Sequence, residues 1–438
     1  MLTVKQGAAL SIGAVLGTGV IALPGLAAQV AGPAALVAWL ALIVLSAPLA
    51  LTFAALGARY PDAGGVASYV GRAFGPRAAA VVGWTFYCAV PVGALPAATF
   101  GGAYVAAVLG GGHRTALLTA AALVALVTAA NLGGVRMSGR VQLGLAAALV
   151  VLLLAAIVTA LPHAHAANLR PFAPHGWLAI GPAVAVLVWG FAGWEALTSL
   201  AADYRDPRRD VPRATWIAVV VVGLLYLAVA ATSQLVLPVP SEAPLADLLA
   251  IGLGPGARSL TAVVALLLTA GAMNAYFAGA ARLGAALGRD GALPPWFARG
   301  ADAGQVPRRS LLVVAGLSSA TLALAAATGI SARPLMLATS GSFVVVYVLG
   351  TAAAVRLLPA RSRARRTAAF ALVSVVGLLA LTGWYVLWSA VVAAAALLVE
   401  RRYRLRSSTM CTAASSAEAA PPSMPTSEPI SSFSSSSP

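Results

Sequence analysis

The sequence predicts an all-α membrane protein with about twelve transmembrane helices. Its residues are 60% apolar and only 9% charged, whereas soluble domains carry roughly a quarter charged residues. Apolar runs of about 20 residues, long enough to cross a bilayer, recur along the chain. Most arginines cluster in the short segments between these runs, as the positive-inside rule describes. A chain so poor in charge is solvated by lipid tails and not by water.

The apolar runs form two sets of five, followed by a closing pair. They cover residues 5–31, 34–58, 78–108, 115–132, 138–161, 176–202, 213–237, 259–287, 310–328, 333–356, 367–383 and 384–400. We expect a short outer helix around 243–251 as well.

Residues 1–400 therefore form the predicted transmembrane domain. Within it, 5–161 and 176–356 are the two predicted repeats, and 367–400 holds two peripheral helices. Residues 401–438 begin with a basic segment and become rich in Ser and Pro. That composition cannot bury a core, so we expect a disordered tail.

The distribution of basic residues predicts that both termini are cytoplasmic. With the N-terminus inside, the inner segments hold Lys5, the cluster at 205–213 and most other arginines. The outer segments hold Arg114, Arg170, Arg258 and Arg333. The net charge of +16 thus needs no nucleic acid, because no basic stripe with interleaved aromatic residues is present. The preference for Arg over Lys, with abundant Ala, is typical of GC-rich bacterial genomes and favours a bacterial plasma membrane.

The first predicted helix carries three closely spaced glycines, Gly13, Gly17 and Gly19. Glycines at this density weaken a helix at mid-membrane depth, where unpaired backbone groups cost several kcal/mol. Such an interruption is tolerated where it lines a cavity, and its freed amides suit an anionic group such as a carboxylate. Close helix packing through small residues is the alternative explanation.

The sixth predicted helix contains a second interruption, with Gly190 and Gly193 on either side of Phe191, followed by Glu195. An intramembrane carboxylate is costly and indicates a functional site. A structural Glu bound to a neighbouring helix is the alternative. Both interrupted helices head a set of five, and interrupted helices in corresponding positions indicate a transporter binding site between inverted repeats.

Five stretches also carry a family resemblance: LGTGV at 16–20, YPDAGGVA at 60–67, PVG and LPAA within 91–98, FAGWE at 191–195, and DPRRDVPRA at 206–214. They resemble the amino acid–polyamine–organocation superfamily, and within it the bacterial L-methionine/branched-chain amino acid exporters. The resemblance implies a leucine-transporter-type fold, in which a ten-helix 5+5 inverted repeat is joined by two peripheral helices. It implies a secondary transporter that exports methionine and branched-chain amino acids. An importer or exchanger of the same superfamily remains the open alternative.

The resemblance also implies roles for individual residues. The implied substrate-binding residues are Gly17, Thr18 and Gly19 at the carboxylate and Phe191, Ala192 and Gly193 at the ammonium. Trp189 is the implied gating residue, with ordinary packing as its alternative, and Glu195 is the implied proton-sensing residue. Some proton-coupled relatives carry a Lys in the fifth helix. Residues 141–160 contain neither Lys nor an acidic residue, so that route of proton coupling is not open here.

Other classes of protein are disfavoured. The spans show no nucleophile–base pair, so we expect no catalytic residues and no cofactor. His163 and His165 lack a nearby Cys or carboxylate cluster, so we expect no metal site. A channel would more often show a pore-lining charge or a carbonyl filter. The expected partners are an amino acid, the lipid bilayer and, as a candidate coupling ion, the proton.

Overall fold

The fold is known from a computed structural model, which describes residues 3–61, 65–134, 139–195, 201, 204–299 and 306–399. Within these ranges the chain forms helices joined by short turns, and no β-strand occurs. The predicted all-α class is therefore confirmed. The predicted tail at 401–438 and the 196–200 part of the sixth predicted helix lie outside the described residues.

The described helices before the second interruption belong to the first repeat proposed from the sequence. They are α1 (Val4–Leu16), α2 (Gly19–Ala31), α3 (Ala35–Arg59), α4 (Gly65–Phe74), α5 (Pro76–Leu109), α6 (Gly112–Leu132) and α7 (Gly139–Ala160).

The described helices that follow include the second interruption and the closing pair. They are α8 (Ile180–Leu187), α9 (Pro207–Val236), α10 (Pro244–Leu253), α11 (Ala257–Arg289), α12 (Arg308–Thr328), α13 (Ala332–Leu357), α14 (Arg363–Leu381) and α15 (Gly383–Val399).

The helices coincide with the predicted membrane-spanning segments. By length and apolar composition, 9 stretches of the described chain can cross a membrane, and the stretch Gly19–Arg59 among them contains both α2 and α3. Shorter apolar helices at Val4–Leu16, Trp177–Gly190 and Gly383–Val399 account for the remaining predicted segments. Two of these shorter pieces belong to the helices that the glycines interrupt. The chain is an integral membrane protein.

One described helix was not expected. The predicted apolar runs leave 59–77 as a connection between spans, but α4 begins at Gly65 within that connection. Helix α4 has 10 residues, too few to cross a bilayer, and a search for apolar runs of membrane length misses it. Its buried residues Val66, Tyr69, Val70 and Ala73 recur at the helical spacing and pack one face inward. The short helix predicted around 243–251 is present as α10, and its position outside the membrane stays a prediction.

The bundle has two ends, which lie on opposite sides of the membrane. We call the end where α1 begins the first face. There the Tyr60 hydroxyl at the end of α3 donates to the Leu357 carbonyl oxygen at the end of α13, at 3.2 Å. We call the other end the second face, where Gln234 of α9 donates to the Gly32 carbonyl oxygen after α2, at 3.0 Å.

Two buried clusters hold the bundle together. The larger joins α1, α2, α3, α8, α9 and α13, and includes Trp39, Trp194 and Tyr226. The smaller joins α5, α6, α11 and α12, and includes Phe277 and Leu311. Inside the smaller cluster Asn131 donates to Asn274 at 2.7 Å, which agrees with the polar contacts that hold membrane helices together. Residues from both clusters line an internal cavity of the bundle.

Candidate functional site

The first interruption lies between α1 and α2. Helix α1 ends at Leu16 and α2 begins at Gly19, so Gly17 and Thr18 connect two half-helices. Gly17 has a φ of 33°, which favours glycine. No side chain caps the start of α2. The amide groups of its first turn therefore point away from the helix without a side-chain acceptor, as in helix termini that bind anions.

The second interruption follows α8. A 3-10 turn occupies Val188–Phe191, Ala192 has extended backbone, and Gly193 has a φ of 126°. A residue with a Cβ atom would be strained at Gly193. The backbone of Phe191 ends the 3-10 turn, while its side chain lies outside the described atoms. The break thus lies within the predicted stretch and leaves carbonyl groups without helical partners.

The two interruptions contact each other through their backbones. A Cβ atom on Gly19 would lie 2.9 Å from the Cα atom of Gly190, and a Cβ atom on Gly193 would lie 2.9 Å from the carbonyl oxygen of Ala14. Real Cβ atoms do not approach backbone atoms so closely. Glycine at these positions is what allows the two half-helix pairs to meet.

A tyrosine on α9 bridges the two interruptions. The Tyr226 hydroxyl lies 3.1 Å from the Val15 carbonyl oxygen and 2.7 Å from the Gly190 carbonyl oxygen. Both carbonyls belong to helix ends, where acceptors lose their regular partners. The sequence analysis missed Tyr226, because a tyrosine in a long apolar run is consistent with packing alone.

Glu195 ties the second interruption to α13. One of its carboxylate oxygens, Oε2, accepts the Gly193 amide at 2.9 Å and the Tyr347 hydroxyl at 2.6 Å. The Glu195 side chain is buried. This geometry fits the structural alternative for Glu195, and it also places a titratable group beside the break. Proton sensing stays a prediction. Tyr347 was not anticipated from the sequence.

Trp189 lies on the second-face side of the interruption, because α8 runs from that face toward the break. Its ring packs edge-on against Phe100 of α5, with the centroids 5.9 Å apart. Gly93 of α5 leaves room for it, since a Cβ atom there would lie 3.3 Å from Trp189 Cη2. The gating role of Trp189 stays a prediction, and these contacts describe what holds the ring.

A cavity of about 670 Å³ connects these residues. Seven of the eight predicted site residues line it, namely Gly17, Thr18, Gly19, Trp189, Ala192, Gly193 and Glu195. Its walls come mainly from α1, α5, α7, α11 and α13, and it extends past the breaks toward the first face, where Leu10, Gly65 and Arg282 line it.

The cavity wall is predominantly apolar. Alanine, glycine, valine and leucine supply most of it, and Tyr276 and Phe343 add aromatic surface. Glu195 and Arg282 are the charged residues among the described lining. The sequence analysis grouped Arg282 with the basic residues of the inner segments, because charge counting along a chain does not reveal which arginine faces a cavity.

A membrane-embedded bundle with one apolar cavity at two facing helix breaks has the architecture of a small-molecule transporter. The chain matches a family model described as amino acid permease over residues 2–413. It is 34% identical over 406 residues to the L-methionine/branched-chain amino acid exporter YjeH of Escherichia coli (strain K12), covering 90% of this chain and 94% of that protein.

Two further relatives are also named as permeases. The chain is 33% identical over 397 residues to the uncharacterized amino acid permease YecA of Bacillus subtilis (strain 168), covering 90% of this chain and 94% of that protein. It is 25% identical over 375 residues to a probable GABA permease of Pseudomonas aeruginosa, covering 80% and 77% of the two chains. The protein belongs to the amino acid permease family of the amino acid–polyamine–organocation superfamily. Membership of this family identifies the chain as a transporter.

Proposed function

We propose that this protein is a secondary active transporter that exports methionine and branched-chain amino acids by alternating access. The observation that carries the proposal is the pair of interrupted helices that meet on one apolar cavity. In this proposal, 5–161 and 176–356 are inverted repeats, and each contributes one interrupted helix to the site. Energy comes from ion or substrate gradients, with the proton as the candidate coupling ion.

Backbone groups recognise the parts that all amino acids share. The uncapped amides around Gly17, Thr18 and Gly19 bind the substrate carboxylate, where the positive end of the α2 dipole adds to the attraction. The carbonyl groups around Phe191, Ala192 and Gly193 accept hydrogen bonds from the substrate ammonium. Neither interaction needs a charged side chain at the break.

The cavity walls favour a neutral aliphatic side chain. A cavity of about 670 Å³ falls within the range of roughly 300–1,000 Å³ typical of small-molecule sites. A cationic or anionic substrate side chain would need a countercharge, because an unpaired buried charge is costly. Glu195 already accepts hydrogen bonds from Gly193 and Tyr347, so it is poorly placed to pair with a lysine side chain.

Export, as the direction of net flux, is supported by the likeness to the E. coli exporter. The alternative is an importer or exchanger, which is supported by the likeness to the probable GABA permease. Alternating access itself is reversible, so the two differ in coupling and not in the architecture of the site.

A counterflow assay in proteoliposomes tests which amino acids the protein transports. Vesicles containing the purified protein are loaded with unlabelled leucine, and the accumulation of labelled leucine is measured with competitors outside. We expect methionine, leucine, isoleucine and valine to compete, and lysine and glutamate to compete at least about tenfold less well, a difference of about 1.4 kcal/mol. Stronger competition by lysine or glutamate would contradict the proposed substrate class.

A growth assay tests the direction of net amino acid transport. In a bacterial host that lacks its own exporters, expression should raise tolerance to dipeptides that contain methionine or leucine and lower the intracellular concentrations of those amino acids. Unchanged tolerance with increased uptake would favour the importer.

A reporter fused near Tyr403 should lie in the cytoplasm and one near His165 outside, because both termini are proposed to be cytoplasmic in a bacterial plasma membrane.

A further inference from the structure

Arg282 is a cation on the transport cavity that the helix breaks do not use. Its side chain is exposed and lines the cavity. Among the described residues it forms no ion pair, hydrogen bond or ring contact. Other arginines on the first-face side do have partners: Arg356 lies over the ring of Phe74 at 5.6 Å, and Arg309 lies over Trp296 at 5.1 Å. A guanidinium without a protein partner is available to a ligand.

The position of Arg282 along α11 places it between the breaks and the first face. One side of α11 lines the cavity, through Gly271, Ala275, Tyr276, Gly279, Arg282 and Leu283. At a rise of about 1.5 Å per residue, Arg282 lies about 9 Å beyond Tyr276 along the helix. The same end of α11 is packed against the first part of α5, where Trp84 donates to the Ala292 carbonyl oxygen at 2.9 Å. A solute moving between the first face and the breaks therefore passes Arg282.

We propose that Arg282 forms a second subsite, which binds the carboxylate of an amino acid on its way between the first face and the helix breaks. A guanidinium presents parallel N–H groups that match a carboxylate in a bidentate arrangement. The apolar cavity walls concentrate its field along the path, because a low-dielectric surround focuses field lines. The inference rests on the proposed function, since it assumes a substrate with a carboxylate.

Glu195 does not neutralise this subsite. Its Oε2 atom is occupied by the Gly193 amide and the Tyr347 hydroxyl, and the described residues include no ion pair between Glu195 and Arg282. On the opposite wall the described neighbours at the mouth are Leu10, Gly65, Val66 and Ala67, which carry no side-chain charge. The carboxylate is thus attracted first at Arg282 and then passes to the amides at the start of α2.

The subsite is expected to change rates more than affinity. A group that lies on the path, and not at the final site, lowers the barrier for association and dissociation together. Microscopic reversibility then requires the association and dissociation rate constants to change by the same factor. A residue that holds the substrate in its final position would instead change the dissociation constant.

Stopped-flow binding of leucine to the purified full-length protein, followed by intrinsic tryptophan fluorescence, tests the subsite. At low ionic strength we expect Arg282→Gln to lower the association rate constant about threefold to tenfold and to remove most of its salt dependence. The dissociation rate should fall by a similar factor, so that the dissociation constant changes less than about twofold.

Arg289→Gln is the matched control. Arg289 lies seven residues later on the same helix, near the same face of α11, but it does not line the cavity. We expect its association rate and salt dependence to match the wild type. An equal decrease in both variants would overturn the subsite in favour of a general surface-charge effect, and so would unchanged association in Arg282→Gln.

Arg282→Lys keeps the test decisive if the glutamine variant fails to fold. Lysine retains the charge without the bidentate fork, so the association rate should decrease while its salt dependence persists. Association that no longer depends on salt in a folded Arg282→Lys variant would overturn the subsite. A wild-type protein that binds no amino acid would instead contradict the proposed function, so the two failures can be told apart.

Discussion

The two ends of the bundle are held together by different kinds of contact. Toward the second face, the Tyr104 hydroxyl of α5 donates to the Ile21 carbonyl oxygen of α2 at 2.6 Å and accepts the Leu245 amide of α10 at 3.3 Å. Trp189 and Phe100 pack nearby. Toward the first face, the cavity continues between α1, α4 and α11, along walls of small apolar residues.

This difference indicates which end is closed. Directed hydrogen bonds and interlocked rings form at one geometry, and buried hydrogen-bonding groups are costly to separate without new partners. Small apolar surfaces part with a lower directional penalty. The cavity therefore extends to the first face, and Trp189 with its Phe100 contact lies at its other end. The proposed alternating access would require the Tyr104 contacts to break and the first-face walls to meet.

The largest expected effect is at Gly19, where the two interrupted helices contact each other. Gly19→Ala would place a Cβ atom 2.9 Å from the Gly190 Cα atom, where backbone leaves no room. Overpacking of this kind costs about 1–3 kcal/mol, so counterflow should fall by about tenfold or more while the protein still inserts in the membrane. Gly316→Ala, with nothing within 4 Å of its Cβ atom, is the control. Wild-type counterflow in Gly19→Ala would show that the breaks can separate freely.

Glu195→Gln should have the next largest effect. The amide oxygen can still accept from Gly193 and Tyr347, so the fold should persist, but the described cavity loses its only acidic side chain. We expect transport measured between about pH 5 and 8 to lose most of its pH dependence. Tyr347→Phe, which keeps the carboxylate, should remain pH-dependent. If Glu195→Gln keeps the wild-type pH profile, the residue is structural.

Tyr104→Phe should weaken the closed end. It leaves the buried Ile21 carbonyl without this donor, at a cost of about 1–2 kcal/mol, equivalent to roughly a fivefold to thirtyfold shift toward opening at the second face. A cysteine at Ala97, with Cys88 and Cys411 replaced by serine, should then react faster with an impermeant thiol reagent added at the second face.

Tyr87→Phe is the control for Tyr104→Phe. Tyr87 lies on the same helix, but its hydroxyl donates to the Ser310 carbonyl oxygen at the start of α12, nearer the first face. Labelling at the second face should stay at the wild-type rate in this variant. Equal labelling in both variants would mean that any lost hydroxyl on α5 opens the bundle.

The smallest effect should come from an ion pair between α10 and α11, toward the second face. Arg258 contacts Asp247 of α10 at 2.9 Å, with side chains 45% and 28% exposed. Exposed pairs contribute about 0–1 kcal/mol, so Arg258→Gln should change second-face labelling by less than about threefold. Asp247→Asn should change second-face labelling more than Arg258→Gln does, because Ser241 also donates a hydrogen bond to Asp247. A large effect of Arg258→Gln at high salt would contradict this ranking.

The interruptions could be predicted because their signal is local. Gly17 and Gly19 lie two residues apart, and Glu195 lies two residues after Gly193, so the sequence reveals both breaks. Tyr226, Tyr104 and Arg282 could not be assigned in the same way. Their roles depend on which neighbouring helix each one faces, and a tyrosine in an apolar run has the same local pattern whether it packs or donates a hydrogen bond.

In the proposed function, main-chain atoms bind the groups that all amino acids share, and wall side chains select among the substrate side chains. No side-chain substitution deletes the amides at the start of α2 or the carbonyls around Ala192, so the capacity to hold an amino acid survives most mutations that leave the breaks intact. In the same proposal, selection among amino acids would depend on residues of the cavity wall such as Ala14, Ala97 and Ala272. Adding one methyl group at a time there would narrow the substrate range step by step, which gives gene duplicates a short evolutionary path to new specificities.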